Sequence, residues 1–114
     1  MCLTVNALNV YYLDEICEWI PKQKFNYVYF NVLHDAWYFS IKHLTEKAKD
    51  IIYEKYKDYN GPYADEVKNL MTFMNLGKNS DGTDLIKVLK QSDKQRNQMF
   101  SDNHPEMAAV IGYE

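Results

Sequence analysis

His34 and Asp35 stand side by side at the end of a strand-like run, YFNVLHDAWYF, over residues 29–39. An imidazole beside a carboxylate is a pairing that moves protons, and the carboxyl end of a parallel strand is where α/β proteins place such groups. Against a catalytic dyad, neighbours in sequence rarely point at each other. The chain also has no Gly-x-Ser-x-Gly turn or other marked nucleophile to accompany them. The plainer alternative makes Asp35 the cap of the next turn and His34 a loop histidine. No catalytic residue is assigned.

The remaining chemistry-bearing residues are sparse. His34, His43 and His104 match no zinc spacing, and Cys2 and Cys17 form no Cys-x-x-Cys pair, so no metal is expected. NSDGTD, residues 79–84, has the oxygen-rich look of the start of a calcium loop. The bidentate Glu such a loop needs is missing, with Lys90 and Gln91 in that region, and a turn with a helix cap is expected instead. Asp93 and Arg96, three apart on a helix, predict a surface ion pair worth under about 0.5 kcal/mol. Met71, Phe73, Met74 and Leu76 offer either a partner groove or, more commonly at helical spacing, core packing.

Composition bounds the rest. A chain of 114 residues forms one domain, 1–114. A net charge of -3 gives no attraction to nucleic acid, and ten tyrosines suit interfaces or core edges. Two cysteines are too few for a disulfide framework, and no stretch resembles a signal peptide. No apolar run approaches the ~20 residues of a membrane span. A soluble, cytoplasmic protein with free thiols is expected.

The elements that position these residues follow from periodicity. Over residues 2–8, Leu3, Val5 and Ala7 alternate with Thr4 and Asn6, the pattern of a strand with unlike faces. Asn9 is placed to cap a helix, Leu13, Ile16, Cys17 and Ile20 form one helical stripe, and Pro21 ends it. Residues 26–33 alternate again, with Val28, Phe30 and Val32 on one face and Tyr27, Tyr29 and Asn31 on the other. The predicted fold is α/β: a βαβ unit with two parallel strands over residues 1–36, followed by a mostly helical extension over 37–114.

In that extension Thr45 is the expected N-cap of a helix carrying Leu44, Ala48, Ile51, Ile52, Tyr56 and Tyr59. An Asn-Gly-Pro break at residues 60–62 precedes a helix with Val67, Leu70, Met71 and Met74, closed by Gly77 as a C-terminal cap. A helix from about Thr83 carries Leu85, Val88 and Leu89, and Met99 and Phe100 rejoin the core. The last helix opens at Pro105 and stops near Gly112.

Two parallel strands leave unpaired edges and a second face bearing Thr4, Asn6, Tyr27, Tyr29 and Asn31. Further strands are expected from a second copy of the chain or from a longer polypeptide.

Several segments, taken in order, resemble the C-terminal part of radical-SAM proteins of the twitch-domain kind. TVNALNVYYLDEI is similar to one of their late barrel strands with its helix, and YVYFNVLHDAWYFSIKHLTEKAKDIIYEKY to the last barrel strand leading into a helix. DKQRNQMFSDNHPEMAAVI is similar to their Asp-x-x-Arg-x-x-x-Phe run and closing Pro-Glu-Leu segment, here Asp93, Arg96, Phe100, Pro105 and Glu106, with Met107 in place of Leu. The resemblance implies a partial barrel that, when complete, binds S-adenosylmethionine and a [4Fe–4S] cluster. It makes Asn31, His34 and Asp35 candidate cofactor-side residues at the barrel mouth. The family's Cys-x-x-x-Cys-x-x-Cys loop has no counterpart here, and Cys2 and Cys17 cannot replace it. The expectation is therefore a catalytically incomplete segment with no cofactor of its own: a truncated reading frame, a split subunit or a remnant. Its partner is the missing N-terminal barrel portion. The alternative is a stand-alone interaction protein that self-associates through its sheet edge or tyrosine-bearing face.

Overall fold

The computed structural model describes residues 1–25, 27–34 and 37–113. Strand β1, Cys2–Val5, pairs in parallel with β2, Tyr29–Val32, with Leu3 opposite Phe30 and Val5 opposite Val32. The crossover between them holds a 3-10 turn at Val10–Tyr12, helix α1 at Leu13–Trp19 and a second 3-10 turn at Ile20–Lys22. Leu13, Cys17 and Ile20 are buried along one stripe of this crossover, as their spacing requires, together with Val5, Ala7 and Val10. The chain is thus α/β with a helical C-terminal part.

Both strands are shorter than their alternating patterns. Pairing of β1 stops at Val5 because two asparagine side chains take over the backbone beyond it. The Leu8 N–H donates to Asn6 Oδ1 at 2.8 Å, the Asn6 N–H donates to Asn9 Oδ1 at 2.9 Å, and Asn9 Nδ2 donates to the Thr4 carbonyl at 2.9 Å. Asn9 therefore knots a loop and makes no side-chain cap bond to the turn that follows it. Helix α1 stops at Trp19, just ahead of Pro21 as expected, and Pro21 sits in the first turn of the 3-10 segment that follows, where its missing N–H is harmless.

The helical part comprises α2, Glu46–Tyr56; α3, Ala64–Leu76; α4, Thr83–Arg96; α5, Phe100–Asn103; and α6, Pro105–Ile111. Thr45 caps α2 by accepting the Ala48 N–H at 3.1 Å. Val67, Leu70, Met71 and Met74 of α3 all face the core, whereas Leu76 is 74% exposed. The aromatic ring of Tyr63, a residue in the left-handed region at φ 61°, lies 5.4 Å from that of Phe30 and so ties the start of α3 to β2.

Two expectations need correction. Ile51 is exposed, and a buried place on another side of α2 is held by Lys49, which is 4% exposed. Its ammonium donates to the carbonyls of Lys42 at 2.5 Å and Gly77 at 3.2 Å, which satisfies a charge that could not otherwise be buried. Met99 points out and only Phe100 rejoins the core. Gly77 is the C-terminal cap of α3, as expected, in extended backbone at φ -90° rather than in the left-handed region. A Cβ there would lie 2.5 Å from Lys42 Cγ and 2.6 Å from the Lys42 carbonyl oxygen, and glycine is needed for that close approach.

The crossover is locked to α2 by Tyr56 and Lys55. Tyr56 donates to the Tyr11 carbonyl at 2.5 Å and accepts the Asp14 N–H at 3.1 Å. Lys55 Nζ donates to the same carbonyl at 2.6 Å, lies 3.6 Å from the centre of the Tyr11 ring and sits 3.5 Å from Asp14 Oδ1.

Replacing Tyr56 by Phe removes the donor to Tyr11 and strands the Asp14 amide, and we expect denaturant melts to show a loss of about 1–3 kcal/mol. Burial also lowers the Lys49 pKa from the ordinary 10.5. The unfolded chain then holds that proton to higher pH than the folded chain. Stability should rise with pH between the lowered folded value and 10.5, and Lys49→Met should flatten that part of the melting-temperature profile.

Candidate functional site

Asn31 points to the solvent face of β2, and its Oδ1 accepts the N–H of the next residue, Val32, at 2.9 Å. His34 is exposed just past the strand, with its ring edge-on to Phe73 at 5.9 Å. Asp35, the third residue expected at this rim, lies outside the described residues. The solvent face itself follows the alternation, with Tyr27 67% exposed and Tyr29 49% exposed while Phe30 and Val32 turn inward.

A cleft of about 620 Å³ opens beyond the carboxyl end of β1, walled by Asn6, Asn9, Tyr12, Glu15, His104 and Glu106. The Tyr12 hydroxyl organises it, donating to Glu106 Oε2 at 3.1 Å and accepting the Met107 N–H at 3.3 Å. Burial raises the Tyr12 pKa, and the Glu106 carboxylate adds to the effect, so the hydroxyl stays protonated as a donor. The His104 ring stacks at a tilt between those of Tyr12, at 5.6 Å, and Phe100, at 5.3 Å. Sequence reasoning considers His104 only as a metal ligand and rejects it, and so misses this grouping. The Asn-His-Pro-Glu opening of α6, which brings His104 and Glu106 to Tyr12, is the signal that could have found it.

The segment that carried the family resemblance has a structural job. Asp93 Oδ2 accepts the Phe100 N–H at 3.0 Å and the Tyr113 hydroxyl, so the Asp side chain bridges the end of α4, the start of α5 and the C-terminus. Among the described residues no ion pair joins Asp93 to Arg96. The expected surface pair is replaced by this hinge, because Asn97 in the left-handed region turns the chain back onto the Asp93 carboxylate. NSDGTD is a turn: Asp81 Oδ1 accepts the Thr83 N–H at 2.9 Å, and Ser80 donates to the His43 carbonyl. His43 in turn makes a 2.9 Å contact from Nδ1 to the Lys78 carbonyl, which requires the ring N–H there.

The arrangement can bind through hydroxyl, amide, imidazole and carboxylate groups. Cys17 is sealed in the core beside Tyr59, and burial, with Glu66 and Asp14 adding to it, pushes its thiol up to about 11. Cys2 lies exposed on β1. Among the described residues no three His, Cys, Asp or Glu side chains come together to hold a metal ion, and no helix is long and apolar enough to cross a membrane. Comparison of the chain with protein-family models, with curated proteins and with solved structures returned no match.

The contrast between the thiols is directly measurable. A colorimetric thiol reagent near pH 8 should titrate Cys2 alone in the native protein and both cysteines in denaturant, with no rapid native reaction at Cys17.

Proposed function

We propose that this chain is the C-terminal segment of a radical-SAM-like protein, supplying two wall strands of a partial barrel and its outer helical support and performing no radical chemistry by itself. The observation that carries the reading is a parallel strand pair with its core on one face only. Leu3, Val5, Phe30 and Val32 pack toward the helices, while Cys2, Tyr29 and Asn31 are exposed on the other face. In a complete barrel that open face becomes the lumen wall, and Asn31, His34 and Asp35 belong to its mouth, where cofactor and substrate sit. Earlier strands would add along the outer side of β1, displacing the Asn9 amide from the Thr4 carbonyl.

The residues present do not fit an iron–sulfur cluster. Cluster irons take several thiolates from one cradle, whereas this chain offers one exposed thiol on the sheet and one buried in the core. No reaction step is assigned to the chain on its own, and its partner is the polypeptide portion that carries the cluster loop.

Reconstitution with iron and sulfide should yield no stoichiometric cluster by absorption spectroscopy, and one bound by this chain alone would overturn its catalytic incompleteness. The DNA immediately upstream of Met1 tests the rest. An in-frame or adjacent Cys-x-x-x-Cys-x-x-Cys coding region supports the barrel origin; a stop codon with an independent ribosome site and no such region nearby counts against it.

A further inference from the structure

The two edges of the sheet are not equivalent. The β1 register, together with the bonds from Tyr29 N–H to the Met1 carbonyl and from Leu33 N–H to the Val5 carbonyl, both 3.1 Å, assigns residues 29, 31 and 33 to the ladder with β1. Phe30 and Val32 therefore aim their N–H and C=O groups away from β1, along the outer edge of β2. Among the described residues neither has a main-chain partner there. One of these four groups is satisfied, and by an unusual acceptor: the Val32 N–H is held by the side-chain carbonyl of Asn31 at 2.9 Å. An amide oxygen in that place does what a neighbouring strand's carbonyl would do.

Space for such a strand exists. A groove of about 380 Å³ runs beside β2, with Val28, Phe30 and Val32 on the strand side and Glu66, Leu70 and Phe73 of α3 opposite. Natural sheets usually blunt such free edges with lysine, proline or a bulge. Within β2 none of these is present: the strand reads Tyr-Phe-Asn-Val.

The strand is also complementary to itself. Placing a two-fold axis at Asn31 sets Phe30 of one copy opposite Val32 of the other, and the reverse. Each of these two pairs then exchanges both of its hydrogen bonds, which satisfies every outward group of the strand. Phe30 meets the smaller Val32 across the seam, above the apolar side of the groove, and the exposed Asn31 side chains face each other across the axis as a close, non-hydrogen-bonded pair. No other polypeptide need be invoked to fill the edge.

We propose that two copies of this chain pair antiparallel through the outer edge of β2 about an axis at Asn31, and that the Asn31 side chain holds the Val32 amide in the monomer until the partner strand displaces it. This interface is independent of the barrel reading, which uses the outer side of β1, so either can fail without the other.

Sedimentation of the full-length chain over a dilution series tests it. The wild type should show a monomer–dimer equilibrium. Asn31→Lys and Asn31→Asp, both at an exposed position, should each weaken the dimer by about tenfold through like charges directly opposite each other, and an equimolar mixture should restore it. Val32→Pro removes an edge N–H without touching the ladder to β1 and should abolish dimerisation while retaining the native circular dichroism. A wild-type chain that stays monomeric up to its solubility limit overturns the proposal. So does a dimer that none of the Asn31 variants weakens, or a charge-swapped mixture that fails to re-form it, whether or not the proline variant folds.

Discussion

Two neighbouring strands that run the same way cannot be joined by a tight turn. The chain must leave the carboxyl end of β1, travel back along the sheet and re-enter at the amino end of β2, and the rest of this protein is arranged around that return path. The crossover has to bury one stripe, which Leu13, Cys17 and Ile20 do, and it has to be held in place, which α2 does. Tyr56 is the contact through which that helix grips, because its hydroxyl reaches the main chain on both sides of the junction between the 3-10 turn and α1. Helices α3 and α6 close around α2 and complete a single core continuous with the sheet.

The sheet's exposed edges are treated alike in principle and oppositely in chemistry. On the β1 side an asparagine nitrogen donates to a strand carbonyl, and on the β2 side an asparagine oxygen accepts from a strand amide. Each side chain imitates the half of a peptide group that a neighbour would present. The mimicry goes further on the β1 side, where the one Asn9 amide covers both the Thr4 carbonyl and the Asn6 N–H, than on the β2 side, where Asn31 covers the Val32 N–H alone. The Phe30 N–H and the Phe30 and Val32 carbonyls are left without a main-chain partner on the outer edge of β2 among the described residues.

Much of the architecture was legible in the residues. Alternation over Leu3, Val5 and Ala7 and over Val28, Phe30 and Val32 assigned the faces of both strands, and the i, i+3, i+4, i+7 stripe placed α1. Thr45 and Pro105 marked two helix starts. What could not be read depended on partners distant in sequence. Lys49 looks like a surface residue in a mixed-charge helix until the carbonyls of Lys42 and Gly77 are seen to receive it, and Ile51 looks like core although only its neighbour Ile52 is buried. Gly77 announces a helix end but not the reason, which is the backbone of Lys42 pressed against it. The alternation put Asn31 on the outward face of β2 and His34 just past the strand, where both are found. It missed the grouping of His104, Tyr12 and Glu106, whose members lie far apart along the chain and meet only once α6 docks on the crossover.

The cage around Lys49 has a consequence for covalent chemistry at amines. Surface lysines such as Lys47 and Lys87 meet an acylating reagent at any instant. The Lys49 nitrogen becomes nucleophilic toward solvent only when α2, the segment before it and the end of α3 separate enough to release both carbonyls. Its modification rate is therefore a clock for the breathing of that one junction, running apart from global unfolding.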